Sequence, residues 1–228
     1  MTGSAALVSV CRVDLTAEAA WSRRYERLLS PEERERAARF QVADAYTEFV
    51  VTRAVLRLLL GEHLGCSPWA VRIEVSGPGA KPRVADLPAV QFSVSHTRGL
   101  ALVAYGEGGP VGVDAECLDC NVDAELLASR CLTADELRTF QRLPQHARPR
   151  AFLTAWTRKE AVLKAQGVGL AGGLRQVEVG LGTGDVAPRG RGQGWRLREL
   201  ESGPRHLAAL AVRRDRSVTV REFSWSKR

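Results

Sequence analysis

"FVVTRAVLR" at residues 49–57 and "WTRKEAVLK" at residues 156–164 are the two stretches on which the fold turns. Each sets apolar residues at helical spacing, and aligned without a gap they share an aromatic first residue, Ala-Val-Leu in the middle and a basic last residue. Position five differs, with Arg53 in one and Glu160 in the other. Upstream of each lies a helix start of the same chemistry. "SPEE" at Ser30 to Glu33 and "TADE" at Thr133 to Glu136 place a hydroxyl cap three residues before a Glu, the arrangement of a capping box. A repeated cap followed by a repeated helix reads as an internal duplication, against the alternative of two amphipathic helices that are alike by chance. The expected fold class is α+β, with two similar α+β halves that have diverged in chemistry.

Strand patterns fill in the halves. "VQFSVSH", "LALVAY", "PVGVDAE", "HLAALAV" and "SVTVREF" are β-branched or alternating. The turn "GEGGP" at Gly106 to Pro110 separates two of them and marks the seam, which gives an N-terminal half over 1–108 and a C-terminal half over 109–228. "GLGTGDVAPRGRGQG", from Gly180 to Gly194, reads as a loop or loose hairpin and lacks the pattern of a phosphate-cradling loop.

With 45% hydrophobic and 26% charged residues the composition is that of a globular protein. No apolar run approaches the roughly 18 residues a membrane span requires. The opening residues lack the basic and apolar regions of a signal peptide, so a cytoplasmic location is expected. Five irregularly spaced cysteines fit reduced thiols. "CLDC" at Cys117 to Cys120 has nearby only Cys131 and His146 to complete four zinc ligands, at spacings that match no common finger.

The formal charge of +7 points to an anionic partner: a nucleic acid, an acidic protein or a phosphorylated ligand. All but four of the 33 basic residues are arginines. A lysine retained in such a chain suggests a place where a compact ammonium is wanted, and Lys81, Lys159 and Lys164 all fall in the motifs that follow.

In "VGVDAE" a strand sends Gly112, Asp114 and Glu116 to one face, with Gly112 leaving space beside two carboxylates about 7 Å apart at their Cα atoms. They can share a hard cation or simply face solvent. On its helix Glu160 falls about 40° from Trp156 and about 60° from Leu163, at the border of an apolar stripe that includes Phe152. A carboxylate so placed is partly desolvated and needs a cation, either Lys164 one turn later or a metal. The alternative is an ordinary exposed Glu–Lys pair at i,i+4; if Glu160 instead joins Asp114 and Glu116, three oxygen donors surround a site suited to Mg²⁺, with positions left for water and phosphate. Trp156 reads as core beside the site, with shaping of the pocket as the alternative.

"VGVDAE", followed about forty residues later by "WTRKEAVLKAQGVGL", resembles the paired signature of the 4′-phosphopantetheinyl transferases, in particular the larger monomeric type that activates surfactin synthetase. "AKP" at Ala80 to Pro82, "FSVSH" at Phe92 to His96 and "LSPEERERAARF" extend the resemblance over most of the chain, thinning after about residue 175. It implies transfer of the phosphopantetheine arm of coenzyme A to a serine of an acyl or peptidyl carrier protein, with Mg²⁺ required and adenosine 3′,5′-bisphosphate released. It also implies a pseudo-dimer with the cofactor between the halves. Carried over residue by residue, Asp114, Glu116 and Glu160 are the metal ligands. Lys164 lies at the pyrophosphate, and Lys159 contacts phosphate or supports the site. Lys81 and His96, with Ser95 beside them, hold the adenosine and 3′-phosphate end, and Arg53 is a further cofactor candidate. For the proton of the attacking serine the choice lies between Glu160 and a metal-bound water near Asp114, and Glu160 is preferred. A basic surface suits carrier domains, which present an acidic helix.

There are departures. Where many relatives carry a basic residue before "VTRA", this chain has "QVADAYTEF", which implies either weaker binding of coenzyme A or a substitute arginine such as Arg39. Two other readings compete: a nucleic-acid-binding module, prompted by "PRGRGQGWR", and a carrier-binding protein without catalysis. Neither accounts for the acidic trio, so no nucleic-acid partner and no membrane partner is expected.

Overall fold

The computed structural model describes residues 5–77, 79–169 and 173–226. Leu170, the last residue of the second motif quoted above, lies outside them. The strands are β1 (Ala6–Asp14), β2 (Ile73–Glu74), β3 (Arg83–Val84), β4 (Gln91–Thr97), β5 (Leu100–Gly106), β6 (Gly112–Cys117), β7 (Val177–Glu178), β8 (Arg189–Gly190), β9 (Trp195–Glu199), β10 (His206–Arg213) and β11 (Val218–Ser224). The helices are α1 (Leu15–Glu18), α2 (Ser22–Glu26), α3 (Pro31–Ala37), α4 (Ala43–Leu64), α5 (Ala124–Cys131), α6 (Ala134–Arg142) and α7 (Arg148–Gln166).

Two sheets carry the α+β architecture. The first has the order β11-β1-β5-β4 and the second β6-β10-β9. Alternation along each strand sorts the core into layers. On β1 and β5, Val8, Val10, Leu100, Leu102 and Ala104 face the second sheet. They meet Val111, Val113 and Ala115 of β6 and Ala208, Leu210 and Val212 of β10. The opposite faces carry helices. Cys11, Val13, Ala101 and Val103 pack with α4, while Leu207, Ala209 and Ala211 pack with α7. The layers therefore run α4, first sheet, second sheet, α7. Coverage on both faces explains why "LALVAY" and "HLAALAV" read as near-continuous apolar runs.

Both capping boxes form. Ser30 Oγ accepts from the Glu33 N–H and Thr133 Oγ1 from the Glu136 N–H, and each Glu carboxylate accepts from its cap's own N–H. Each Glu also meets a buried cation of the long helix that follows, Glu33 with Arg57 at 2.6 Å and Glu136 with Lys159 at 2.6 Å.

The seam is bridged by side chains. β4 and β6 are edge strands of their own sheets, and the N–H groups of Val113 and Ala115 donate to Ser93 Oγ and Ser95 Oγ at 3.0 and 3.3 Å. The division at residue 108 needs one amendment, because β11 leaves the C-terminal stretch and pairs in parallel with β1, Val8 opposite Val220. Between Glu178 and Arg189 the Gly-rich segment is the loose hairpin expected, closed by β7 and β8. Among the described residues no helix is long and apolar enough to cross a membrane.

Candidate active site

The site forms where α7 lies against the outer face of β6. Two strand residues advance about 6.7 Å and a helical turn about 5.4 Å, so strand dyads and helix turns nearly keep step. Gly112 meets Ala161 and Ala165, Asp114 meets Lys164, and Glu116 meets Trp156, so the helix runs opposite to the strand. A Cβ on Gly112 would stand 2.0 Å from Ala161 O and 2.4 Å from Ala165 N. The space beside the carboxylates is thus taken by the helix backbone, and this close approach brings Glu160 and Lys164 over the strand.

Asp114 is the centre of the cluster. Its Oδ1 accepts from Lys164 Nζ at 2.7 Å and from Ser95 Oγ at 2.8 Å. Lys164 also reaches Ser95 Oγ at 2.9 Å. Glu116 Oε1 accepts from the Trp156 indole at 2.8 Å. Asp114 Oδ2 and Glu160 Oε1 are buried with no hydrogen-bond partner, an arrangement a protein rarely tolerates without a ligand or counter-charge to come. Burial, reinforced by the charge of Asp114, pushes the carboxyls of Glu116 and Glu160 up to about 7. Asp114 is also raised by burial, opposed by Lys164 and Ser95.

From Lys164 a cleft of about 320 Å³ opens between the halves. Arg36, Arg53, Lys81 and Lys164 bring their charges to it and His96 its imidazole, over Phe49, Leu56, Phe92 and Val94. Phe49, Thr52, Arg53 and Leu56 are one face of α4. Gly167 ends α7 in the left-handed conformation, φ 74°, and turns the chain into the cleft wall. Lys81 Nζ donates to Val111 O at 2.6 Å across the seam, and burial lowers its ammonium to about 8. Enclosure, then the charges of Lys164 and Arg36, hold the His96 imidazole below its ordinary value. A basic cleft with an apolar floor, ending on partly protonated carboxylates, suits a nucleotide with its phosphates toward Lys164.

Residues 110–212 match the 4′-phosphopantetheinyl transferase superfamily. The 4′-phosphopantetheinyl transferase HetI of Nostoc sp. is 35% identical over 187 residues, covering 81% of this chain and 78% of that protein. This chain belongs to that family. An L-aminoadipate-semialdehyde dehydrogenase-phosphopantetheinyl transferase of Eremothecium gossypii is 36% identical over 160 residues, 68% of this chain and 56% of the relative. The 4′-phosphopantetheinyl transferase Sfp of Bacillus subtilis is 24% identical over 148 residues, 65% of this chain and 64% of the relative.

In this transferase Asp114, Glu116, Glu160, Lys164 and Ser95 come together, and Lys81, His96 and Arg53 line the adjoining cleft. Ser95 does not reach outward as a cofactor contact. It is buried, and its hydroxyl ties Lys164, Asp114 and the Ala115 N–H together. Of the two places expected for Lys159, phosphate contact or support, its ammonium is turned away from the first. It is fully buried on another side of α7, donating to Glu136 at 2.6 Å, Leu174 O at 2.9 Å and Val177 O at 2.5 Å, and has no proton left for a phosphate. Arg39 is an exposed partner of Glu35 beyond the end of α3. The helical residue Arg36 lines the cleft instead, stacked 5.1 Å from the Phe49 ring centroid. One signal for it was available: Arg36 lies three residues after Glu33, whose capping carboxylate faces α4.

Oxygen donors and two orphaned buried oxygens fit a hard divalent cation. Their spacing is open, however, and among the described residues no three acidic, imidazole or thiol groups are gathered into a closed metal site. Lys164 stands as the cation beside Asp114, and the indole holds Glu116 to one side.

Proposed function

We propose that this transferase moves the 4′-phosphopantetheine arm of coenzyme A onto a serine hydroxyl of an acyl or peptidyl carrier protein. The observation that carries the reading is the buried Asp114 with the half-buried Glu116 and Glu160 against Lys164, at the end of a basic cleft with an apolar floor. The nucleotide end of coenzyme A lies along that cleft, its phosphates facing Arg36, Arg53, Lys81 and His96, and its pyrophosphate lies at Lys164. The serine oxygen bonds to the β-phosphorus as the bond to the bridging oxygen breaks, and adenosine 3′,5′-bisphosphate leaves. Lys164 offsets the charge that gathers on the departing phosphate. Glu160, on the helix turn before Lys164, takes the serine proton. Asp114, Glu116 and Glu160 would hold Mg²⁺, which supplies charge stabilisation on the pyrophosphate oxygens. The enzyme works as a cytoplasmic monomer, and its basic surface receives the acidic face of the carrier.

The test is the intact mass of a carrier protein after incubation with the chain, coenzyme A and Mg²⁺. A gain of one phosphopantetheine, lost on chelation and in Glu160→Gln, supports the reading. No gain across several carriers, with coenzyme A failing to bind, overturns it.

A further inference from the structure

Trp156 lies one helical turn before Glu160, and Phe152 packs on it from the turn before, ring centroids 6.1 Å apart. The Trp156 side chain, partly buried, packs against the core of the second half. Its pyrrole nitrogen does something else. The Nε1–H donates to Glu116 Oε1 at 2.8 Å, and among the described residues it is the hydrogen-bond donor that holds this carboxylate. The other members of the trio are fixed by different means: Asp114 by Ser95 and Lys164, and Glu160 by its place on the buried helix. Glu116, near the end of β6 and only partly buried, has just the indole to choose its rotamer.

We infer that Trp156 is a positioning residue for the divalent cation of the transfer reaction. It grips one oxygen of Glu116 and leaves the other for metal, while its ring and Phe152 keep water from that side. The inference rests on the proposed metal role of the trio and adds a residue outside the ligand set. A hydrogen bond that orients a ligating carboxylate typically changes metal affinity about 10- to 100-fold when removed. The rival account is that the carboxylate merely satisfies a half-buried indole N–H, in which case the cation does not sense the change.

The experiment uses the full chain without coenzyme A and follows Mn²⁺ binding by the loss of the free-ion signal in electron paramagnetic resonance. Trp156→Phe keeps most of the apolar body and removes the N–H. The expected result is a Mn²⁺ dissociation constant raised about tenfold or more, with metal-free coenzyme A binding unchanged. A second measurement does not depend on that variant folding. In wild-type protein labelled with ¹⁵N-tryptophan, five indole N–H signals are present, one for each tryptophan. One of them should shift on adding Mg²⁺ and stay still in Glu116→Gln. Equal Mn²⁺ affinity in Trp156→Phe and wild type, or indole signals that ignore bound Mg²⁺, overturns the inference alone. If wild type binds no divalent cation, the metal reading of the site falls and this inference with it.

Discussion

Lys159 and Lys164 sit on one helix five residues apart, about 140° around its axis, and this angle gives them opposite work. Lys164 reaches the cleft. Lys159 spends its three protons on a carboxylate and two carbonyls, a need that the three-pronged ammonium meets and a planar guanidinium does not. The scarcity of lysine therefore did mark a special position, but the geometry that demanded it was internal. Lys159→Met is expected to destabilise the fold by about 3–5 kcal/mol, because it strands the Glu136 carboxylate in the interior. Urea unfolding measures this, and adding Glu136→Gln should recover part of the loss; a folded Lys159→Met with only a raised KM for coenzyme A would restore the phosphate-contact reading. Thr52 makes the converse case. The hydroxyls of Thr139, Thr154 and Thr157 turn back to the carbonyls four residues earlier in their helices, whereas Thr52 Oγ1 is buried without a partner in the wall of the cleft. Thr52→Val is expected to stabilise the unliganded protein by about 1 kcal/mol, seen as a melting temperature a few degrees higher. No pattern in "VVTRAV" distinguishes this threonine from one bonded to its own helix.

At the scale of elements, the β6–α7 pairing was legible in its donors and not in its contact. Strand alternation put Asp114 and Glu116 on one face, and helical angles put Glu160 at the border of the stripe, as the structure has them. Gly112 was read as room for a ligand, yet it is the point where helix backbone touches strand backbone. A residue without a side chain leaves no trace in sequence of what occupies its space. Gly112→Ala is expected to push α7 away from β6 and destabilise the protein by about 3 kcal/mol, the upper range for overpacking, since the obstructing atoms are main chain. Near-ultraviolet circular dichroism and thermal melting would register this, and a variant with wild-type stability would mean that helix and strand separate without penalty. The capping boxes were the most legible local features, because a cap is decided within four residues. Their second task, holding a buried Arg57 or Lys159 more than twenty residues away, becomes visible only once the helices are packed.

On the scale of the whole molecule, the pairing of the last strand with the first was not legible in the sequence. β11 pairs with β1 across the full length of the chain, and no local signal in "SVTVREF" names that partner. What the assembled halves do to their shared acidic seam can be measured through pH. Glu116 and Glu160 titrate near 7 in the fold, against an ordinary value of 4.5. Between those values the folded protein holds protons that the unfolded chain has released, so their contribution to stability is present at low pH and is lost as pH rises through about 7. Compared at about pH 5.5 and about pH 7.5 without metal, wild type should therefore lose more stability than Glu160→Gln, which removes one of the titrating groups and relieves the charge on Glu116. Other carboxylates titrate in both proteins and cancel in the comparison. Adding Mg²⁺ at the higher pH should restore wild type, because a cation favours the ionised trio, and should restore the variant much less. Parallel pH curves for the two proteins would mean that the carboxylates are already ionised and hydrated at the seam, and that the strained, proton-holding site described here is not how the halves meet.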